Sequence, residues 1–183
     1  MKKPADAIAA YLRAKDGNRP HLLAAAFVED AMLTMDVQTS GMAFPLVTRG
    51  CDAIADVLVR SFAQRYENVY TVCLGQAPGG YCSSFHCDWL VAMTEKDSRA
   101  VRVGCGRYDW RFGPATQLVD SLLITIESMQ SLPAHMQRPV LDWVAGLPHP
   151  WCSASQVLGG APGLDELSPV FAFIGRERVS LAH

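Results

Sequence analysis

The apolar residues of this chain follow two periods: helical up to residue 66, apart from one strand, and alternating beyond it. In PADAIAAYLRAK, from Pro4 to Lys15, the residues Ile8, Tyr11 and Leu12 fall on one helical face, with Pro4 acceptable in the first turn. Asp16-Gly17-Asn18-Arg19-Pro20 breaks the pattern, and Pro20 opens a second short helix, PHLLAAAF, so the two form a helical hairpin. Ala31 to Val37 alternates as a strand. The loop SGMAFPLVTRG leads into the clearest helix, Cys51 to Tyr66, striped by Ile54, Val57, Leu58, Ser61 and Phe62.

Strand-like runs follow at Asn68–Gln76 and Ser83–Thr94, then a long hairpin from Ala100 to Ser128, turned at Gly113-Pro114-Ala115-Thr116. In its second strand Leu118, Asp120, Leu122, Ile124 and Ile126 share a face that is apolar except for Asp120. Gly104 and Gly106 around Cys105 predict a bulge or sharp bend. Helices first and antiparallel strands after predict an α+β fold, a curved antiparallel sheet with helices packed on one face. From Leu132 onward Gly and Pro punctuate the chain, with one helix around Pro139–Ala145. The expected organisation is a domain over residues 1–131 and an extension over 132–183 that packs on the domain or on a dimer partner.

Composition narrows the classes. Half of the 183 residues are apolar, 19% are charged and the formal net charge is -2, which supports a sizeable core and supplies no basic stripe for nucleic acid. No apolar run is long enough for a membrane span, and charged residues interrupt the N-terminal segment where a signal peptide would be apolar. The expectation is a soluble, cytoplasmic protein. The six cysteines form no C-x-x-C pair, which predicts reduced, mostly buried thiols rather than zinc ligands or disulfides. The chain has no nucleotide loop, metal cluster or nucleophile elbow, so neither cofactor nor metal is expected.

Candidate chemistry rests on a few polar residues. Asp120 among aliphatic side chains is the foremost: a desolvated carboxylate can act as acid or base near neutrality, unless it pairs with Arg102, Arg107 or Arg111. His86 and Asp88 share one strand face, opposite the more apolar Phe85, Cys87, Trp89, Val91 and Met93. They form either a general base with its orienter, turned inward by strand curvature, or part of a solvent or dimer face. Arg107, Asp109 and Arg111 read as an exposed ion-pair ladder. Phe62, Trp89 and Trp110 read as walls of a ligand pocket, and Trp143 with Trp151 as a lid.

Three strings, YLRAKDGNRPHLLAAAFVEDAMLTMD, RGCDAIADVLVRSF and GRYDWRF leading into QLVDSLLITIE, resemble the nuclear transport factor 2-like superfamily in its SnoaL-like and ketosteroid isomerase-like branch. The resemblance covers roughly residues 5–130. It implies a cone, a strongly curved sheet around a pocket lined by Tyr11, the third helix and the concave face of the last strands. It also implies an oxyanion-hole role for Tyr11, which stands 16 residues before Phe27, and a general base on the first strand. Counting from Phe27 puts that base position on Met35, with Asp36 one residue later, so either a bulge returns Asp36 to the pocket or it faces out. The expected activity is a cofactor-independent isomerase, dehydratase or cyclase. It would act on an apolar cyclic or polyketide-like small molecule through Asp120 with Asp36 or His86, and Tyr11. The alternative is a non-catalytic small-molecule-binding or assembly protein. Homodimerisation through the sheet is a further implication of the resemblance.

Overall fold

The computed structural model describes residues 2–176. Helix α1, Pro4–Asp16, starts on Pro4 with the Asp6 carboxylate accepting from the Lys3 amide at 3.0 Å, and buries Ala7, Ile8, Tyr11, Leu12 and Lys15. A 3₁₀ helix, Pro20–Ala25, delivers the chain to strand β1, Phe27–Val37, which begins earlier than the alternation alone predicts. After the short strand β2, Val47–Arg49, a continuous helical stretch runs through α2 (Cys51–Ala55), a π-helical turn (Asp56–Arg60) and α3 (Ser61–Arg65). The inserted π turn shifts the helical register, which is how Ile54, Leu58 and Phe62 all reach the core.

Strands β3 (Tyr66–Leu74), β4 (Ser84–Glu95), β5 (Val101–Phe112) and β6 (Val119–Leu132) follow in succession. With β7, Trp151–Cys152, they complete a seven-stranded sheet in the order β2-β1-β6-β5-β4-β3-β7. The fold is α+β, but the sheet is mixed rather than wholly antiparallel. Strand β1 lies parallel to β6, and β7 parallel to β3, because in each case the chain crosses over before returning to the sheet.

The two sheet faces bury different cores. Inward-facing Trp89, Val91, Met93, Tyr108, Trp110, Leu122, Ile124 and Ile126 pack with α1 and the third helical stretch. On the outer face Val72, Leu90, Ala92, Val103 and Leu132 meet the C-terminal segment. That segment consists of α4 (Gln137–Ala145), α5 (Ala154–Gly159) and α6 (Ser168–Gly175), and it contributes Val140, Trp143, Val157, Val170 and Ile174. Each such aliphatic burial is worth about 2 kcal/mol. Coverage on both faces explains why Trp89 to Met93 is apolar at every position instead of alternating. It also covers part of the outer face of the sheet through which the resemblance implies self-association. The part that carries His86, Asp109, Arg111 and Leu123 is not covered by the described residues.

Two bulges in β6 set which side chains enter the concave core. Arg111 pairs with Ser121 and Phe112 with Val119, leaving Asp120 without a partner residue; Cys105 pairs with Ser128 and Gly106 with Ile126, leaving Glu127 over. Both extra residues are carboxylates and both are exposed. At the second bulge Gly106 is required by close approach: a Cβ there would lie 1.9 Å from the Thr125 carbonyl oxygen and 2.7 Å from the Trp89 ring.

Candidate functional site

Helix α1 presents Tyr11 and Lys15 one turn apart to the concave face of the sheet, the i,i+4 spacing that stacks side chains on one side of a helix. Opposite them stand Tyr108 on β5 and Trp89 on β4. Between these walls is a cavity of about 50 Å³. Its remaining lining is apolar and includes Leu58, Phe62, Val91, Ile124 and Ile126, with the four methionines Met35, Met42, Met93 and Met129. Unbranched thioethers make such a wall adaptable in shape.

The polar groups of the cavity are few. The Tyr11 and Tyr108 hydroxyls lie 3.5 Å apart, and the Tyr108 ring stacks on Trp89 with centroids 5.6 Å apart. Burial is the main cause that pushes both phenols well above the usual tyrosine range; the hydrogen bond to Tyr108 opposes that rise at Tyr11 without cancelling it. Both are therefore neutral donors through the physiological range. The Trp89 indole N–H is buried with no hydrogen-bond partner among the described residues. Lys15 Nζ donates to Asp16 Oδ1 and to Thr71 Oγ1, each at 2.7 Å, and sits 5.2 Å from the centre of the Phe62 ring. Asp16 is further held by the Thr71 amide at 2.7 Å and its hydroxyl at 2.9 Å. The ion pair is thus locked into the wall rather than poised for proton transfer.

The residues singled out from the sequence separate. Tyr11, Phe62 and Trp89 line the cavity. Asp120 does not: as the bulged residue of β6 it stands exposed, and the apolar positions flanking the bulge, Val119 and Leu122, are the ones that turn inward. Asp36 is exposed and accepts from the Gln38 side chain, while Met35 takes the cavity position beside it. No bulge at that point of β1 restores Asp36 to the interior. His86 is exposed on the outer face opposite Asp109, and its companion Asp88 is buried beneath the C-terminal segment, bridged by Arg176 at 3.0 Å. Trp110 packs behind the tyrosines, 5.3 Å from the Tyr11 ring and 5.1 Å from Tyr108, and does not line the cavity.

Lys15 and Tyr108 were not among the sequence candidates. The spacing of Lys15 from Tyr11 was a usable signal, as was the position of Tyr108 on the aromatic side of GRYDWRF. The thiol of Cys73 is pushed well up, first by the Cys87 thiol beside it and then by burial, so it is no thiolate nucleophile. Among the described residues, no three of the His, Cys, Asp and Glu side chains gather in a metal-binding group, and no helix is long and apolar enough to cross a membrane.

Solved structures share this architecture. A nuclear transport factor 2-like protein from Burkholderia thailandensis superposes with a TM-score of 0.54 at 13% identity, over 69% of this chain and 92% of its own. A type 2 hexachlorocyclohexane dehydrochlorinase (LinA) gives 0.54 at 13% identity, over 69% of this chain and 84% of its own. A protein with a ketosteroid isomerase-like fold from Catenulispora acidiphila, in complex with trimethylamine, gives 0.51 at 16% identity, over 67% and 85%. No family model matches the sequence, and no curated protein matches it. At these identities the likeness is one of fold, and the fold is nuclear transport factor 2-like.

Proposed function

Starting from a nuclear transport factor 2-like fold, we propose that the protein binds a small, mostly apolar molecule in its concave cavity. Tyr108 and Tyr11 would donate hydrogen bonds to a carbonyl-type oxygen of that molecule. One observation carries the reading: among the described residues, the lining is apolar except for Tyr11, Tyr108, Trp89 and Lys15, and it holds no carboxylate or imidazole. A wall with hydrogen-bond donors and no free base favours a ligand that accepts. Two phenols 3.5 Å apart are close enough to share one acceptor oxygen. Burial keeps them protonated, so they polarise an oxygen without removing a proton.

Acid–base isomerase or cyclase chemistry would need a proton acceptor at the cavity. Asp120, Asp36 and His86 are all exposed elsewhere, and Lys15 is engaged by Asp16 and Thr71, so non-catalytic binding is the better-supported of the two readings. Titration calorimetry with small cyclic ketones and the hydrocarbons of the same skeleton tests it. The ketones should bind more tightly, and Tyr108→Phe should remove the difference. Equal binding of ketone and hydrocarbon to the unaltered protein would dismiss the role given to the tyrosines.

A further inference from the structure

A second chamber adjoins the cavity. It has a volume of about 210 Å³ and is bordered by the loop between β1 and β2 on one side and by α3 on the other. Met42 and Phe44 of that loop and Phe62 of α3 line both spaces. The two chambers therefore lie either side of three side chains, one a flexible thioether and two single-ring aromatics. Rotamer changes in these side chains, without backbone rearrangement, would join the two spaces.

The chambers differ in chemistry. The inner one is closed by apolar groups, two phenols, the Trp89 indole and the Lys15 ammonium already paired with Asp16, whereas the outer one carries Ser61, Arg65 and Tyr66. Among the described residues, Arg65 is the one charged residue of its lining, and no carboxylate lines it. The guanidinium of Arg65 lies 5.4 Å from the centre of the Tyr66 ring and forms no ion pair among the described residues. Tyr66 is 4% exposed, yet its hydroxyl is buried without a hydrogen-bond partner among the described residues. A buried unpaired hydroxyl is unfavourable unless something completes it, and a planar guanidinium presents paired N–H groups suited to an oxyanion.

We propose that the outer chamber is a subsite for the anionic head of the ligand, a carboxylate or similar oxyanion held by Arg65 and the Tyr66 hydroxyl. The apolar body of the same molecule would pass Met42, Phe44 and Phe62 into the inner cavity. The ligand class is then a small amphipathic organic anion. This inference rests on the reading that the inner cavity holds an apolar molecule, and it adds the charge and the direction of binding.

Calorimetry with octanoate, octanamide and octylamine tests it, since the three share one apolar chain and differ in head group. Octanoate should bind about tenfold more tightly than octanamide, the gain of a charged hydrogen-bonded pair, and octylamine should bind weakest. Arg65→Gln should bring octanoate down to the level of octanamide while leaving octanamide unchanged. Arg65→Lys should keep part of the preference, and Tyr66→Phe should lose part of it. Arg65 is exposed, so its two variants do not disturb the core. Equal binding of octanoate and octanamide would overturn the anionic subsite alone. A preference that survives Arg65→Gln but disappears in Tyr108→Phe would place the head at the inner tyrosines and overturn it as well. Binding of none of the three would overturn the cavity reading together with the subsite.

Discussion

Tyr11 on α1 and Tyr108 on β5 hold their phenolic oxygens 3.5 Å apart across the cavity wall, a separation longer than that of a strong O–H···O bond. A contact this long contributes little to stability. Tyr108→Phe is therefore expected to unfold within about 1 kcal/mol of the unaltered protein in denaturant titrations. Its effect should appear in ligand binding instead, as lost discrimination between a ketone and its hydrocarbon.

Asp120 supplies the complementary case. As the extra residue of an exposed bulge, it faces away from the cavity. Asp120→Asn should change neither ligand affinity nor stability by more than about 0.5 kcal/mol. A loss of binding in that variant, measured by calorimetry, would contradict the facing described above.

Gly106 is expected to be intolerant of any side chain. A Cβ at this position would meet the Thr125 carbonyl at 1.9 Å, and a backbone oxygen cannot swing aside as a flexible side chain can. Gly106→Ala should cost about 3 kcal/mol or more, read as a lowered denaturation midpoint or loss of soluble protein.

Lys15 and Asp16 form a largely buried pair, with side-chain exposures of 8% and 20%. Removing the cation alone leaves the carboxylate with only its Thr71 bonds. Lys15→Met is expected to destabilise by about 2 kcal/mol, and adding Asp16→Asn should recover part of that loss. Denaturant titrations of both single variants and the double variant complete the cycle.

Alkaline pH should weaken the fold. Burial is the largest cause that pushes the Cys105 thiol up to about 12 and both cavity phenols well above their ordinary range. Each group stays protonated in the fold at a pH where the unfolded chain has already lost the proton. Its stabilising contribution is complete below the unfolded pKa, about 9 for the thiol and 10 for the phenols, and declines as pH rises through the folded value. Each such group should add about 1.4 kcal/mol per pH unit to the decline. Cys105→Ala should flatten the curve between pH 9 and 12, the interval between the two values for that thiol.

The sequence by itself determined most of the elements up to residue 132 and part of the cavity wall. The helical stripe of α1 carried Tyr11, the stripe from Cys51 onward carried Phe62, and alternation in β4 put Trp89 with Val91 and Met93. These are local patterns, set by periods of 3.6 and 2 that hold wherever the backbone is regular. The tertiary structure decided which carboxylates face where. A bulge depends on how two strands pair, and one extra residue reverses every facing beyond it, so Asp120 reads as interior from its own strand and stands outside once β5 fixes the register. Coverage of the outer face was equally out of reach of local pattern. Leu90 and Ala92 differ from a cavity-lining pair only because α4, α5 and α6, from a segment more than forty residues later, fold back over them.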